Sequence, residues 1–377
     1  MTGKTSQPFS LGFIGGGLNS AIGLTHRIAV EMDRRFALKA GCFSTHQSVN
    51  HQTGHTWGVE KHRIYDDWLT LISEEQNRLD AIVILTPIPS HANIAIQVMK
   101  AGYPVISEKA LASSSADAEK IRAAVEEQNA FLAVTYNYSG YPMLRELKMM
   151  IKKGALGKIF QIHAEMPQEG FIRLYKDQKN APPQAWRLDD PETLSTVSLD
   201  LCAHLHHIIF FLTGNRPIEL AAMQDSFGTF QQVCDNGMCL ARYTNEMVCQ
   251  LWYSKCALGH RNGLRIRVYG TQGSAEWYQM DPEHLRYVNI MGQVSTFDRT
   301  NVLAQVRYNR FKAGHPAGFI EAFANMYYDI ADSLLEFQKT GRYASSWNLG
   351  VDIAKEGLHM LEAISRSAQR KTWEKII

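Results

Sequence analysis

The chain has 377 residues, of which 45% are hydrophobic and 20% are charged, and its formal net charge is +2. This length allows two domains, and the nearly balanced charge excludes the basic surfaces typical of nucleic-acid and membrane-surface binding. The sequence has no apolar run of about 18 residues and no apolar signal segment, so we expect a cytoplasmic protein with no membrane partner and no nucleic-acid partner.

The N-terminal third begins with a strand, a glycine-rich turn and a helix. Apolar residues 11–14 predict the strand, and residues 21–32 predict the helix. Gly15 permits a tight turn, Gly17 lets backbone N–H groups approach a pyrophosphate, and Ser20 stands where the usual motif has its third glycine. This pattern predicts a dinucleotide site, with an ordinary glycine turn as the alternative. The predicted cofactor contacts in this turn are Gly15, Gly17, Leu18, Asn19 and Ser20.

The alternation of strands and helices continues to residue 135. The predicted strands are 36–42, 80–85, 104–107 and 131–135, and the predicted helices are 68–77, 89–101 and 113–129. Repeated β-α units predict a Rossmann-type, doubly wound parallel sheet, which binds ligands at the carboxyl ends of its strands. The residues there that we predict to bind the cofactor are Ser44, Thr45, Thr86, Pro87, Glu108, Lys109 and Asn137.

The end of the second strand normally distinguishes NAD from NADP, because an acidic residue there binds the ribose hydroxyls of NAD. Here Ser44 and Thr45 follow the strand, and no acidic residue occurs between Cys42 and Glu60. Hydroxyl groups can bind either a ribose or a 2′-phosphate. The sequence therefore predicts NAD or NADP, with only a slight preference for tolerance of NADP.

Asp200 and His204 lie four residues apart in an apolar run that continues to Leu212. If the run is helical, both side chains lie on one face, and an oriented histidine is suited to proton transfer near neutral pH. A purely structural pair is the alternative. His206 and His207 follow, but no matching carboxylate or cysteine cluster accompanies them, and the six cysteines lack C-x-x-C spacing. We therefore expect no metal site and reduced thiols.

The remainder of the chain predicts a second α/β domain. A helix over 146–154 and a strand over 158–165 precede an irregular segment, 167–192, in which Trp186 and Arg187 are candidate sugar contacts. Packing of Trp186 within this loop is the alternative. Alternating apolar residues then predict a large, open, mostly antiparallel sheet. The runs that predict its strands are 219–225, 238–244, 247–253, 264–270 and 274–279.

The predicted domains are residues 1–137, which bind NAD(P), and residues 138–377, which bind substrate and mediate oligomerisation. Amphipathic helices over 318–340 and 347–370 are expected to pack back against the first domain. A broad sheet with one open face favours pairing with another subunit. We therefore expect a homodimer or homotetramer.

Over nearly its whole length the chain resembles the Gfo/Idh/MocA oxidoreductase family. The matching features are the glycine turn, Thr86-Pro87 followed by His91, Glu108-Lys109, and Asp200 with His204. The family motif usually reads Glu-Lys-Pro, and this chain has Ala110 in place of the proline. Other segments resemble a sugar- and polyol-acting branch of the family. They are residues 22–23, 26–27, 136–142, 186–187, 267–273, 314–316 and 318–325.

The resemblance implies hydride transfer between a nicotinamide cofactor and a carbinol or carbonyl carbon of a sugar, an inositol or a sugar derivative. It implies that Lys109 contacts the reacting oxygen, that His204 is the general acid/base and that Asp200 orients groups in the pocket. It also adds His91 to the cofactor contacts. The implied substrate contacts are Lys109, Tyr138, Trp186, Arg187, Asp200, His204 and His315.

Two alternatives stay open for the function. One is a family member that keeps NAD tightly bound and uses it for a transient oxidation without net redox change. The other is a redox-silent regulatory protein that only binds a nucleotide. The presence of Lys109, Asp200 and His204 disfavours the second alternative.

Overall fold

The computed structural model describes residues 7–175, 194–302, 308–312 and 314–377. The chain divides into two compact units. The predicted boundary between residues 137 and 138 stays a prediction. Unit 1 comprises Met1–Ala112, Ala116–Gly140 and Phe319–Ala354, and unit 2 comprises Ser113–Ser115, Tyr141–Gly318 and Lys355–Ile377.

Unit 1 contains a five-stranded parallel sheet with the strand order β2-β1-β3-β4-β5. Every residue of the third strand is buried, which is typical of a parallel strand covered on both faces. The predicted Rossmann-type sheet is therefore confirmed. The strands are β1 Phe9–Gly15, β2 Phe36–Cys42, β3 Ala81–Leu85, β4 Val105–Ser107 and β5 Leu132–Val134. The helices of this part of the chain are α1 Gly23–Met32, α2 Gln47–Thr56, α3 Trp68–Glu74, α4 His91–Lys100 and α5 Ser115–Glu127.

A C-terminal helix completes the core of unit 1. Helix α9, Phe319–Thr340, contributes Phe323 and Tyr327 to the same buried cluster as Phe13 and Phe36 from the first two strands. The ring of His26 in α1 packs edge-on against Phe323, with ring centroids 4.9 Å apart. Helices α1 and α9 therefore pack directly on each other inside this unit.

Unit 2 contains a nine-stranded sheet in the order β13-β12-β11-β10-β6-β9-β8-β7-β14. All neighbouring pairs are antiparallel except β6 with β9, so the predicted, mostly antiparallel sheet is confirmed. The strands are β6 Ile159–Pro167, β7 Pro217–Asp225, β8 Asn236–Tyr243, β9 Val248–Ser254, β10 Arg265–Gly270, β11 Gly273–Tyr278, β12 Asp281–Asn289, β13 Val294–Phe297 and β14 Glu374–Lys375. The remaining helices are α6 Pro142–Lys152, α7 Ala203–Thr213, α8 Arg299–Val302 and α10 Val351–Arg370.

The segment with Asp200 and His204 is not one regular helix. Residues Ser198–Cys202 form a π-helical turn, in which the Ala203 N–H donates to the Ser198 carbonyl five residues earlier. Helix α7 begins directly after this turn. A π turn holds one more residue than an α turn, so the backbone at Asp200 is wider than in the α-helix that the sequence predicts.

Several elements differ from the sequence-based expectation. Helix α2 was not expected, because its sequence is polar and its buried residues are Asn50, Thr53 and Gly54. Strands β12 and β13 were also missed, and their burial does not alternate regularly. Helix α6 begins at Pro142, four residues before the predicted start, with proline in the first turn. Within the described residues, no helix is both long and apolar enough to cross a membrane.

Candidate active site

The turn after β1 requires glycine because of its backbone conformation. Gly15 and Gly16 have φ values of +84° and +77°, where residues with a side chain are strained. A Cβ at Gly15 would also lie 2.8 Å from the Leu85 carbonyl carbon. The turn thus passes very close to the end of β3, and it leaves no room for a side chain at Gly15.

Two backbone N–H groups of this loop are bonded within the protein. The Gly17 N–H donates to the Phe43 carbonyl at 3.0 Å, and the Leu18 N–H donates to Thr53 Oγ1 at 3.1 Å. These bonds fix the loop against the end of β2 and against α2. The side chains of Leu18 and Asn19 are exposed, so this part of the loop faces solvent.

The closest approach between the turn and α1 lies at Gly23, which the sequence analysis named only within the family-like segment 22–23 and not among the predicted cofactor contacts. A Cβ there would lie 1.8 Å from the Gly16 carbonyl oxygen. Ser20, which stands at the third glycine position of the motif, accepts hydrogen bonds through Oγ from the N–H groups of Ile22 and Gly23, at 3.3 and 3.2 Å. Ser20 therefore caps the start of α1.

The strand ends that follow carry the predicted hydroxyl groups. Ser44 is half-buried and Thr45 is exposed after β2, and Ser44 Oγ accepts from the His46 N–H at 3.1 Å. After β3, Thr86 is half-buried and Pro87 is exposed. Hydroxyl groups thus occupy the position where an acidic residue would select NAD.

His91 is buried, and its ring contacts two turns. Its Nε2 lies 2.7 Å from the Thr86 carbonyl oxygen, and its Nδ1 lies 2.9 Å from the Ala110 carbonyl oxygen. Burial lowers the pKa of His91, although the two carbonyls and Glu108 favour the protonated ring. The ring joins the turn after β3 to the segment that follows Lys109.

Glu108, the residue before Lys109, lies in a buried network of side chains. One of its carboxylate oxygens accepts from the Thr135 hydroxyl and lies 3.1 Å from His26 Nε2. The other nitrogen of His26 lies 2.7 Å from the Tyr327 hydroxyl. Burial raises the pKa of Glu108, but the hydrogen bond from His26 and the charge of Lys109 outweigh it, so the net pKa lies below the usual value.

Asn137 and Tyr138 follow β5, and both are buried. Among the described residues, the Asn137 side-chain nitrogen has no hydrogen-bond partner. Buried amides in native proteins normally have partners, so this nitrogen can donate a hydrogen bond to a bound group or to a water molecule. The Tyr138 ring lies 6.5 Å from the Phe319 ring, centroid to centroid.

These features of unit 1 fit a dinucleotide. The glycine turn brings the backbone to the start of α1, a ten-residue helix whose N-terminal end favours an anionic phosphate. Hydroxyl groups follow β2 and β3, and the unpartnered Asn137 nitrogen follows β5. Gly15, Ser44, Thr86 and Asn137 would hold the cofactor.

In unit 2, the Asp200 carboxylate forms an ion pair with Lys255. The Lys255 Nζ lies 2.5 Å from Asp200 Oδ2, and the two side chains are 11% and 19% exposed. Lys255 comes directly after β9, so its pairing with Asp200 joins the sheet to the π turn. The sequence analysis missed Lys255, because 55 residues separate the two partners. His204, the second residue of α7, is buried.

A second contact joins the same two elements. Ser198 Oγ lies 2.9 Å from the Tyr253 hydroxyl, and the Gln224 amide donates to both oxygens, at 2.9 and 3.3 Å. Ser198 and Asp200 are two residues apart, as are Tyr253 and Lys255. The π turn is therefore held to the end of β9 at two points with matching spacing.

The two histidines after His204 have structural surroundings. His206 Nε2 lies 3.2 Å from a Glu356 carboxylate oxygen. The His207 ring is buried and stacks on Phe211, with centroids 6.1 Å apart, and burial lowers its pKa well below the usual value. In the part of the chain that the structure describes, no group of three or more histidine, cysteine or acidic residues is arranged to hold a metal ion.

Three further residues were predicted from the sequence as substrate contacts, Trp186, Arg187 and His315. Trp186 and Arg187 lie outside the described residues. His315 is exposed, and its backbone carbonyl accepts from the Arg299 guanidinium.

Comparisons with known proteins agree with this architecture. A family model described as an oxidoreductase family with an NAD-binding Rossmann fold matches residues 9–136, and the GFO/IDH/MocA C-terminal domain model matches residues 144–276. The chain belongs to the Gfo/Idh/MocA oxidoreductase family. The resemblance seen in the sequence and the nicotinamide cofactor that it implied are thereby confirmed.

Individual relatives of this family member include dehydrogenases. An uncharacterized oxidoreductase of Bacillus subtilis, YfiI, is 30% identical over 98% of this chain and 97% of its own length. Levoglucosan dehydrogenase of Pseudarthrobacter phenanthrenivorans is 24% identical over 71% of this chain and 73% of its own. The crystal structure of an inositol dehydrogenase homolog from Azotobacter vinelandii, complexed with NADH and myo-inositol, has a TM-score of 0.87 and 28% identity over 98% of both chains.

Proposed function

We propose that this Gfo/Idh/MocA family member is a dehydrogenase that transfers hydride between NAD or NADP and a secondary alcohol or ketone of a sugar, an inositol or a sugar derivative. The observation that carries this proposal is the similarity to the inositol dehydrogenase homolog that binds NADH and myo-inositol, which covers 98% of both chains. The chain also contains the three residues to which the resemblance assigns chemical roles, namely Lys109, Asp200 and His204.

The proposed mechanism divides the chemistry among three side chains. The bound nicotinamide supplies the carbon that accepts or returns the hydride. During alcohol oxidation, His204 takes the hydroxyl proton as the hydrogen on the same carbon departs with its electron pair. The Lys109 ammonium contacts the reacting oxygen and stabilises its developing negative charge. Asp200 accepts a hydrogen bond from a hydroxyl of the substrate and orients it.

The surroundings of two of these residues support their roles. Asp200 is paired with an ammonium, so it suits the binding of hydroxyl groups better than the removal of a proton. Lys109 follows Glu108, whose carboxylate is fixed by His26 and Thr135, and its position therefore rests on a rigid strand end. Other substrate contacts proposed from the sequence are Tyr138, Trp186, Arg187 and His315.

The cofactor choice is proposed to be NAD or NADP. Ser44 and Thr45 follow β2 without an acidic residue, so the chain lacks the carboxylate that would exclude a 2′-phosphate. Other cofactor contacts are proposed for His91, Glu108 and Lys109 and for the glycine turn. The location is proposed to be the cytoplasm, which the six free thiols support.

A homodimer or homotetramer is proposed from the sheet of unit 2. Along β8, every second residue is exposed, and these include Met238 at 46% and Leu240 at 55%. Met223 on β7, the cross-strand neighbour of Met238, is 62% exposed. Adjacent exposed apolar side chains on a sheet face are typical of a surface that another subunit covers. Sedimentation of the purified protein would show the assembly.

The proposed activity is tested with a panel of sugars and inositols, each offered with NAD and with NADP, by following the absorbance of the reduced nicotinamide. We expect turnover by the wild type, and we expect Lys109→Ala and His204→Ala to lose activity by about 100-fold or more while they still bind NADH. Fluorescence of bound NADH measures that binding. If both variants stay fully active, the proposed mechanism is wrong.

The same assay separates the two alternatives. A protein that uses tightly bound NAD for a transient oxidation would convert substrate without accumulating reduced nucleotide. A redox-silent protein would bind NADH and convert nothing. Product analysis by mass spectrometry, run beside the absorbance measurement, distinguishes these two outcomes.

A further inference from the structure

We propose that Lys255 is a positioning residue of the active site, which acts by holding the Asp200 carboxylate in the orientation needed for substrate binding. This inference rests on the proposed function, because it assumes that Asp200 contacts the substrate. Lys255 Nζ and Asp200 Oδ2 lie 2.5 Å apart, and both side chains are largely removed from solvent. An ion pair in such a setting is held much more firmly than a pair on the surface.

The backbone fixes Lys255 on both sides. Its N–H donates to the Asp235 carbonyl at 2.7 Å, and its carbonyl accepts from the Phe171 N–H at 2.8 Å. The ammonium also lies 5.3 Å from the centroid of the Phe171 ring, a distance at which a cation is attracted to an aromatic face. The backbone of Lys255 is therefore fixed at the sheet end, and the Phe171 ring gives its ammonium a contact besides Asp200.

The partner carboxylate lies on a less regular element. Asp200 is the central residue of the π turn Ser198–Cys202, and π turns inside helices occur frequently at functional sites. Ser198, two residues earlier, contacts the Tyr253 hydroxyl, two residues before Lys255. The contact at Ser198 holds the turn, and the ion pair at Lys255 sets the direction of the Asp200 carboxylate.

This arrangement gives the pair a defined role. A carboxylate held by an ammonium on one side stays charged and keeps its remaining lone pairs directed, so it can accept hydrogen bonds from hydroxyl groups. Without the ammonium, the carboxylate would lose one hydrogen-bond donor and the positive charge that lies beside it. Lys255 therefore affects substrate binding through Asp200.

A double-mutant cycle tests this coupling in the full-length protein. Lys255→Met, Asp200→Asn and the double variant are compared by kcat and KM with a polyol that the wild type oxidises. We expect each single change to lower kcat/KM by about 30-fold, chiefly through a higher KM. We expect the double variant to lie within about threefold of Asp200→Asn, since Lys255 has no further effect once the carboxylate is gone.

Two further variants separate positioning from folding. Lys255→Arg keeps a cation and should recover part of the lost kcat/KM, even if Lys255→Met folds poorly. Lys158→Met removes an exposed lysine that pairs with Glu246 in the same unit, and it should leave kcat and KM unchanged. NADH affinity, measured by fluorescence, should stay within about twofold of wild type in all variants. The substituted residues belong to unit 2, whereas the proposed cofactor contacts belong to unit 1.

The outcomes distinguish a failure of the inference about Lys255 from a failure of the proposed function. If the wild type oxidises a polyol and Lys255→Met keeps full activity, or if the effects of the two single variants multiply in the double variant, Lys255 does not act through Asp200. The proposed function then stands. If the wild type oxidises no polyol with either nucleotide, the proposed function and this inference are both overturned.

Discussion

Two carboxylates, each close in sequence to a residue with a proposed catalytic role, have different surroundings. Glu108 precedes Lys109, and its side chain is 11% exposed and bonded to His26 and Thr135. Asp200 precedes His204 by four residues, and its side chain is 19% exposed and paired with Lys255. The first is held by hydrogen bonds from a histidine and a hydroxyl, and the second by a full positive charge.

The difference indicates different roles. Glu108 joins β4, β5, α1 and α9 through the network that ends at Tyr327, so its loss would loosen the interior of unit 1. Asp200 lies on a π turn and has a charged partner fixed by the sheet. We therefore expect substitutions at Glu108 to affect stability first and substitutions at Asp200 to affect activity first.

The largest effect is expected for Glu108→Ala. This change leaves His26 and the Thr135 hydroxyl without their acceptor in the interior, which costs about 3 kcal/mol of unfolding free energy. Glu108→Gln keeps an acceptor oxygen and should cost less. Urea denaturation measures both, with Glu126→Ala as a control at an exposed glutamate. If Glu108→Ala is as stable as Glu126→Ala, the network is not structural.

Asp200→Asn should show the opposite pattern. The amide is similar in size to the carboxylate, but it carries no charge to match Lys255, so we expect kcat/KM to fall by about 30-fold. The loss of unfolding free energy should be smaller than for Glu108→Ala. Steady-state kinetics and urea denaturation on the same preparation check both quantities. Near-normal activity together with a large loss of stability would reverse the comparison.

A smaller effect is expected at the far end of the Glu108 network. Tyr327→Phe removes the hydroxyl that lies 2.7 Å from His26 Nδ1 and leaves the aromatic packing in place. The expected loss is about 1 kcal/mol of unfolding free energy, typical of one hydrogen bond. Chemical denaturation measures it. An unchanged stability would show that the network ends at His26.

The smallest effect is expected from mild acid. Burial lowers the folded-state pKa of both His91 and His207 below 6.5, so the unfolded chain binds more protons as the pH falls. Their contribution to stability is therefore present above about pH 6.5 and is lost below it, and Tm should be lower at about pH 5.5 than at about pH 7.5. The carboxyl group of Glu108 contributes in the same direction, but only below its usual value of 4.5.

Single variants show which of the two buried histidines causes the fall in Tm at the lower pH. His91→Asn should reduce the fall in Tm if the segment after Lys109 carries it, and His207→Gln should reduce it if α7 does. Scanning calorimetry at the two pH values supplies the data. A fall in Tm that neither variant reduces would contradict the assignment to buried neutral histidines.

The regular elements of unit 1 could be predicted because the apolar pattern of each strand or helix is visible within its own residues. Strand β3 is apolar at every position and buried at every position. Helix α2 was not predicted, because its buried residues Asn50 and Thr53 are polar. Their side chains accept hydrogen bonds from backbone N–H groups of neighbouring loops. A periodicity of apolar residues contains no information about such contacts.

The candidate site could be predicted only in part. Gly15 was recognised from its motif, but the close approach at Gly23 depends on how α1 lies against the turn. Lys255 could not be recognised, since its pairing with Asp200 depends on the register between β9 and a π turn 55 residues earlier. The residue types suggested the chemistry, and the partners required the three-dimensional structure.

The most direct test of the proposed function follows the hydrogen itself. The protein is incubated with oxidised nucleotide and a polyol that carries deuterium on its carbinol carbons, and the reduced nucleotide is analysed by mass spectrometry. We expect the wild type to produce reduced nucleotide that contains one deuterium atom, and we expect His204→Ala to produce almost none. Oxidation of the polyol without deuterium in the nucleotide would contradict direct hydride transfer.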